Sequence, residues 1–171
     1  LPICPLLFGK LLEKLENLSQ EPTASEWVDH LSCLKLMYLL SYRTGLRLNE
    51  VRCLKIQDII CPELLCKEKE NTAFNNITLH IQNNSYRRLK TQSANRQIPL
   101  KIALSEHEFL VVQRYIQHRY EQYLVNQQDD LLFSVNHRVL TDQCISKITV
   151  DLFSQILGMH HGFSFHTLRH S

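Results

Sequence analysis

Two short stretches far apart in the chain carry residues that could act on a phosphate. Residues 165 to 171 contain Arg169 with one histidine on each side of it, His166 and His170. Residues 44 to 50 contain Arg47. An arginine side chain is a planar, permanently charged fork that binds two non-bridging phosphate oxygens, and a histidine can donate a hydrogen bond or move a proton near neutral pH. Two arginines and a histidine that meet at one point would suit a phosphodiester undergoing displacement.

The composition is that of a soluble globular protein. The chain has 171 residues, of which 44% are hydrophobic and 21% are charged, and its formal net charge is +2. A chain of this length forms one ordinary domain and buries most of its apolar surface. No apolar run approaches the length of a membrane span, and residues 1 to 4 have neither a charged leader nor a starting methionine. We therefore predict a piece of a longer protein with no membrane partner.

Basic charge is concentrated in one segment. No acidic residue occurs between Ser85 and Leu104. The basic residues of this segment are Arg87, Arg88, Lys90, Arg96 and Lys101. A net charge of +2 does not argue for nucleic acid by itself, but a cluster of one sign is the electrostatic footprint of a nucleic-acid surface.

The cysteines and histidines give little support for a metal site. The six cysteines include no Cys-x-x-Cys pair, and four of them lie in apolar patterns, which favours free thiols in a reducing compartment. His166 and His170 are four residues apart and would share a helix face, but the metalloprotease pattern needs a glutamate where this chain has Thr167. We predict no metal and no cofactor, with a metal-dependent hydrolase as a distant alternative.

Hydrophobic spacing and capping signals predict a mainly helical chain. Residues 5 to 18 have the pattern of a short amphipathic helix, and a capping box at residues 23 to 26 starts a central apolar helix that ends at Gly45. Asn49 is the predicted N-cap of the next short helix. A second capping box at residues 105 to 108 starts a helix that runs to about Leu124. A further helix is predicted from Thr141-Asp142 to Gly158.

Three short segments predict strands. Residues 56 to 60 and 77 to 81 alternate between apolar and polar side chains, and residues 96 to 100 resemble a third strand with Pro99 at its end. Residues 61 to 76 are predicted to be a loop, and the basic segment connects two antiparallel strands. The predicted fold class is mixed α+β, mainly helical, with a small three-stranded antiparallel sheet.

Three motifs in order resemble the catalytic domain of the tyrosine recombinases, or phage-integrase family. They are Thr44-Gly45-Leu46-Arg47-Leu48-Asn49-Glu50, Lys90-Thr91 ahead of Arg96-Gln97-Ile98-Pro99-Leu100, and His166-Thr167-Leu168-Arg169-His170. The resemblance implies that residues 21 to 171 are the catalytic domain without its C-terminal part. Residues 1 to 20 would then be a helical leader, or the end of a connection to an N-terminal domain.

The resemblance also implies a role for each matching residue. Arg47 and Arg169 match the two catalytic arginines, and Glu50 matches the acidic neighbour that orients the first of them. Lys90 matches the lysine that protonates the leaving 5′ oxygen, and His166 matches the histidine that assists proton transfer at the nucleophile. His170 matches a supporting position. The predicted DNA contacts are Arg87, Arg88, Arg96 and Lys101.

The reaction that the resemblance implies is site-specific DNA recombination or integration through a 3′-phosphotyrosyl intermediate. Its partners would be double-stranded DNA at a specific site and further copies of the protein on that DNA, in a bacterial or host-cell interior. The family's nucleophilic tyrosine follows the last motif, whereas all six tyrosines here precede it, so the fragment is expected to be inactive for cleavage. A type IB topoisomerase-like enzyme and a non-catalytic DNA-binding module of the same fold remain open as alternatives.

Overall fold

The computed structural model describes residues 2–20, 28–62, 74–89, 95–135, 139–158 and 162–169. The helices are α1 (Pro5–Ser19), α2 (Val28–Thr44), α3 (Leu48–Arg52), α4 (Leu100–Ala103), α5 (Glu106–Val125), α6 (Asp142–Leu157) and α7 (Phe165–Leu168), and the strands are β1 (Ile59–Ile60), β2 (Thr78–Ile81) and β3 (Arg96–Pro99). The predicted fold class, mainly helical with one three-stranded antiparallel sheet, is confirmed. The chain divides into two compact units, one of Leu1–Arg52 with Phe133–Ser171 and one of Cys53–Leu132.

The first unit is built around α2. Met37, Tyr38 and Leu40 on this helix are completely excluded from solvent, which is why its sequence is apolar on nearly all sides. Helix α1 packs against α2 and α6, and α7 packs against the same two helices. The buried side chains of α1 recur at helical spacing and are Phe8, Leu11 and Leu15. The helix predicted over residues 5 to 18 is therefore present, and its role as a leader or connection stays a prediction.

The second unit contains the sheet, whose strand order is β1-β2-β3 with both pairs antiparallel. Leu79 lies opposite Ile59 on one side and Ile98 on the other. Leu79 and Ile81 are fully buried, whereas Thr78 and His80 are partly exposed. One face of β2 thus forms part of a core and the other faces outward, as the alternation predicts.

The first predicted strand is mostly wrong. Residues Ile56–Asp58 form a 3₁₀ turn, and only Ile59–Ile60 pair with β2. The cause is Asp58, whose Oδ2 accepts a hydrogen bond from the Lys55 backbone N–H (3.0 Å) while its own N–H donates to the Lys55 carbonyl (3.0 Å). Such local side-chain bonding competes with a strand ladder. The third strand ends at Pro99 because α4 begins at Leu100.

The capping signals of α5 and α6 are confirmed. The Ser105 N–H donates to Glu108 Oε2 (2.9 Å), and the Glu108 N–H donates to Ser105 Oγ (3.4 Å), so the predicted capping box starts α5. Thr141 Oγ1 accepts from the Cys144 N–H (3.2 Å) at the start of α6, which ends at Gly158 with φ of 89°. The capping box predicted at residues 23 to 26 and most of the predicted loop lie outside the described residues.

In the described ranges, five cysteines are not joined in disulfides, and they are Cys4, Cys33, Cys53, Cys61 and Cys144. Within the described part of the chain, no group of three or more His, Cys, Asp or Glu side chains is arranged to hold a metal ion. None of the helices described here has the length and apolar character needed to cross a membrane.

Candidate functional site

Arg47 lies in the short connection between α2 and α3. Helix α2 ends with the Gly45 N–H donating to the Ser41 carbonyl (3.0 Å), and Gly45 takes the left-handed φ of 69° that the sequence predicts. Leu46 is fully buried and fixes the connection to the core. Arg47 follows directly, immediately before the N-terminus of α3, and its side chain is 43% exposed. An anion is favoured at such a position, where backbone N–H groups have no helical partner.

Glu50 holds Arg47 through both its backbone and its side chain. Glu50 Oε2 accepts from the Arg47 backbone N–H (2.8 Å), and Oε1 accepts from Arg47 Nη1 (3.2 Å). The Glu50 side chain is only 4% exposed. The carboxylate therefore caps α3 and bonds to the guanidinium at the same time, and the orienting role in catalysis that is expected of it stays a prediction.

Asn49 is not the N-cap of α3, contrary to the sequence prediction. Helix α3 begins at Leu48, so Asn49 lies inside it, where its Oδ1 accepts from Arg52 Nη2 (2.9 Å). Because the helix starts two residues earlier than predicted, Arg47 occupies the N-cap position, and the residue three places later, Glu50, bonds to its backbone N–H. This arrangement is the second half of a capping box.

The C-terminal motif forms the short helix α7. The Ser164 N–H donates to Thr167 Oγ1 (3.0 Å) at its start. Phe165 and Leu168 are buried, and the Phe165 ring centroid lies 5.5 Å from that of Tyr38. His166 is exposed, and Arg169 is partly exposed. The apolar residues of the motif thus attach it to the core, and both predicted functional residues reach solvent.

The two arginine-bearing segments are neighbours within the first unit. Arg169 Cγ lies 4.0 Å from the position that a Cβ on Gly45 would occupy, and Gly45 is two residues before Arg47. The residues 44 to 50 and 165 to 169, separated by more than half of the chain, therefore meet at the end of α2. Lys90 and His170 lie outside the described residues, and their roles stay predictions.

A buried polar pair lies between α2 and α6 in the same unit. Tyr38 Oη and Thr149 Oγ1 are 2.7 Å apart, and the Thr149 hydroxyl is also 2.7 Å from the Ile145 carbonyl. Since the threonine proton goes to that carbonyl, Tyr38 is the donor to Thr149. Burial raises the pKa of the Tyr38 hydroxyl well above its usual value, and the hydrogen bond opposes this only in part. Tyr38 is therefore a protonated residue of the core.

The predicted DNA contact of Arg87 needs correction. Its side chain is 1% exposed, with Nε and Nη2 donating to the Gln82 carbonyl (2.9 and 2.7 Å) and Nη2 also donating to Asp58 Oδ2 (3.1 Å). A guanidinium buried in this way cannot reach a phosphate in solvent. Sequence reasoning missed the buried site because Asp58 is 29 residues away along the chain.

The other basic residues of the segment that the structure describes are accessible to solvent. Arg88 is exposed, Lys101 is exposed on α4, and Arg96 is partly exposed on β3. All three belong to the second unit. They stay predicted phosphate contacts.

Comparison with known proteins finds similarity at the level of fold. Neither protein-family models nor curated proteins match the sequence. Two solved structures of the XerH site-specific recombinase are similar, a pre-cleavage complex bound to difH substrate (21% identity, TM-score 0.59) and a post-cleavage complex bound to palindromic difH substrate (19% identity, TM-score 0.57). Each match covers 99% of this chain, which spans 40% of the length of the recombinase chain.

Proposed function

We propose that this chain, which has the fold of the tyrosine recombinase catalytic domain, belongs to that family and supplies the phosphate-binding part of a DNA recombinase active site. The observation that carries the proposal is the position of Arg169, whose Cγ lies 4.0 Å from where a Cβ on Gly45 would be, two residues before Arg47. Fold similarity does not choose a function. Two motifs in the family's order that meet at the end of α2 are a more specific signal.

The proposed reaction is a transesterification at DNA. A tyrosine hydroxyl attacks the scissile phosphorus, so that a tyrosine O–P bond forms, the P–O5′ bond breaks, and a 3′-phosphotyrosyl link and a free 5′ hydroxyl result. Attack of a second 5′ hydroxyl reverses the step and joins new strands, and the covalent link conserves the bond energy. The nucleophile is taken to be a tyrosine C-terminal to Arg169, as in the family.

Arg47 and Arg169 neutralise the charge that grows on the non-bridging oxygens in the transition state. Such preorganised donors are effective because they need no rearrangement as the charge develops. The buried Glu50 carboxylate supports this role, because it holds Nη1 of Arg47 (3.2 Å) while leaving the side chain 43% exposed to a substrate. His166, exposed beside Arg169, assists proton transfer at the attacking hydroxyl, and Lys90 delivers the proton to the leaving 5′ oxygen.

DNA binding is proposed to depend on phosphate contacts by Arg88, Arg96 and Lys101. Phosphate contacts release condensed counterions, so the affinity should fall steeply with salt. Recognition of one specific site, self-association on DNA and a role in integration or excision are parts of the same proposal. The XerH site-specific recombinase structures are complexes with difH substrate, which supports DNA as the partner proposed for this chain.

The test is the formation of a covalent protein–DNA complex by the full-length protein. We expect a duplex DNA that carries its recombination site to give an adduct that survives denaturation with detergent, is removed by protease and leaves a free 5′ hydroxyl. Arg47→Ala or Arg169→Ala should abolish the adduct and leave most of the DNA affinity, because the other phosphate contacts remain.

Arg52→Ala is the matched control. Arg52 is close to Arg47 in the chain, but it pairs with Asp142 (2.5 Å), so the adduct should still form. An adduct from the Arg47→Ala or Arg169→Ala variant would refute the assignment of that arginine. DNA binding without any adduct from the unsubstituted full-length protein would instead favour a non-catalytic DNA-binding module.

A further inference from the structure

A tight turn in the second unit carries an exposed aromatic side chain and an exposed cation. We refer to residues 82 to 89 as the 82–89 turn. The backbones of Asn84 and Arg87 are bonded in both directions (2.9 and 3.3 Å). Tyr86 is 52% exposed, and Arg88 is exposed. The turn therefore presents a phenol ring and a guanidinium on either side of the buried Arg87.

Arg87 anchors this turn from beneath. Its guanidinium donates to Asp58 Oδ2 (3.1 Å), to the Gln82 carbonyl (2.7 and 2.9 Å) and to the Cys53 carbonyl (3.4 Å). The Arg87 and Asp58 side chains are 1% and 2% exposed. A buried ion pair contributes little net stability relative to apolar residues of the same size, so its main effect here is to fix the conformation of the chain around it.

Asparagine side chains hold the rest of the turn. Asn84 Nδ2 donates to the Cys53 carbonyl (2.9 Å) and to Asp58 Oδ2 (3.1 Å), and its Oδ1 accepts from the Tyr86 N–H (3.0 Å). Asn83 Oδ1 accepts from the Leu89 N–H (2.7 Å). The exposed side chains of the turn are consequently mounted on a backbone that is fixed along its length.

The Tyr86 ring is also held in place. Lys55 Nζ lies 5.1 Å from the ring centroid, within the range of a cation–π interaction. The same Nζ is 2.5 Å from Asp130 Oδ2. The ion pair keeps the ammonium group beside the ring, so the ring is oriented before any partner binds.

We propose that the 82–89 turn is a preorganised contact for the backbone of double-stranded DNA, in which Arg88 binds a phosphate, Tyr86 lies against the adjoining sugar, and Arg87 is a positioning residue that touches no DNA. The absence of any acidic residue between Ser85 and Leu104 in the sequence makes the charge complementary to DNA. A contact held in its bound conformation loses less conformational entropy on binding. This inference rests on the proposed function as a DNA-binding protein.

A double-mutant cycle on the full-length protein tests the positioning role. The affinity for a fluorescent duplex DNA of mixed sequence is measured over a range of salt concentrations for Arg88→Ala, Arg87→Met and the double variant. Each lost phosphate contact should lower the magnitude of the slope of log affinity against log salt by about 0.9. If Arg87 acts only through the turn, Arg87→Met should weaken binding, and the slope of the double variant should equal that of Arg88→Ala.

Gln113→Met is the matched control for a buried polar residue. Gln113 lies in the same unit, is 7% exposed and donates to the Phe74 carbonyl (2.8 Å), so it holds a different segment. Its substitution should leave the DNA affinity and the slope unchanged at a temperature where every variant is folded.

If Arg87→Met does not fold, Asn84→Ala replaces it, because this change loosens the turn from a partly exposed position. Tyr86→Ala should weaken binding several-fold without changing the slope.

The outcomes separate this inference from the proposed function. A double variant whose slope falls by about 1.8, twice the single-contact value, would show that Arg87 binds a phosphate itself. Unchanged affinity in Arg88→Ala, or in both Arg87→Met and Asn84→Ala, would refute the turn as a DNA contact. If the unsubstituted protein binds no duplex DNA at all, the proposed function fails as well.

Discussion

Arg169 lies next to Gly45, with its Cγ 4.0 Å from the point where a Cβ on that glycine would be. This separation is an ordinary van der Waals contact, so an alanine side chain would fit. What requires glycine is the backbone, which has a φ of 69°. The chain leaves α2 through this left-handed residue, and the connection that carries Arg47 depends on it.

Replacement of Gly45 by alanine should therefore destabilise the protein through backbone strain. Left-handed backbone costs an L-residue about 1–2 kcal/mol. Gly45→Asn should be less destabilising than Gly45→Ala, because asparagine tolerates this conformation better. Urea unfolding of the two variants measures the difference, and equal stabilities would contradict the explanation by strain.

Gly9→Ala is the matched control. Gly9 lies inside α1 and is exposed, with no heavy atom within 4 Å of a Cβ built on it. Alanine in place of a helical glycine should stabilise the protein by about 0.5–1 kcal/mol. A gain in stability from Gly9→Ala and a loss from Gly45→Ala would establish that the backbone conformation of each glycine decides the effect of its substitution.

Tyr38→Phe should change how stability depends on alkaline pH. The usual pKa of tyrosine is 10.0, and burial raises that of Tyr38 in the folded state. The folded and unfolded states both keep the proton below pH 10, so the contribution of Tyr38 is constant there. Above pH 10, Tyr38 loses its proton in the unfolded chain before it does so in the folded protein. The free energy of unfolding should therefore fall by about 1.4 kcal/mol per pH unit until the pKa of Tyr38 in the folded state is reached.

The Phe variant lacks this ionisation. At neutral pH it should lose about 1 kcal/mol with the hydrogen bond to Thr149, and the difference from the unsubstituted protein should shrink as the pH rises above 10. Thr149→Val serves as the comparison, since it removes the partner and keeps the phenol. A stability difference between Tyr38→Phe and the parent that is independent of alkaline pH would argue against a buried, protonated tyrosine.

Substitutions of Glu50 should separate its capping role from its charge. Glu50→Ala removes the acceptor for the Arg47 N–H and should lower the free energy of unfolding by about 1 kcal/mol. Glu50→Gln keeps an oxygen in place, so we expect a smaller loss of stability. Both variants lose the carboxylate beside Arg47 Nη1, so adduct formation by the full-length protein should decrease in both. A Gln variant with the activity of the parent would show that orientation of Arg47 does not need the charge.

Local signals in the sequence predicted much of this structure. The capping box at Ser105 and Glu108 and the helix end at Gly45 depend on residues within four positions of one another, so they could be identified without knowledge of the fold. The order of the two arginine motifs also indicated a shared site. Their contact at Gly45 depends on how α7 packs against α2, which periodicity cannot specify.

The errors arose where distant side chains decide the outcome. Asp58 was expected inside a strand, and Arg87 was expected on a DNA-binding surface. The structure buries both in one ion pair across 29 positions of sequence. A basic segment looks alike in sequence whether one of its arginines is exposed or has a buried partner, because charge patterning contains no information on burial.

The Asp58–Arg87 pair gives the last prediction. Asp58→Leu leaves a buried guanidinium without its carboxylate, and Arg87→Met leaves a buried carboxylate without its guanidinium. Each single change should lower the free energy of unfolding by about 3–5 kcal/mol. The double variant Asp58→Leu/Arg87→Met should be more stable than either single variant, because no unpaired charge then remains in the core.

Chemical denaturation of the three variants measures this coupling. Lys35→Ala is the control, because Lys35 forms a partly exposed ion pair with Glu16 and its loss should change stability little. Additive losses in the double variant would contradict the assignment of a buried, mutually dependent pair.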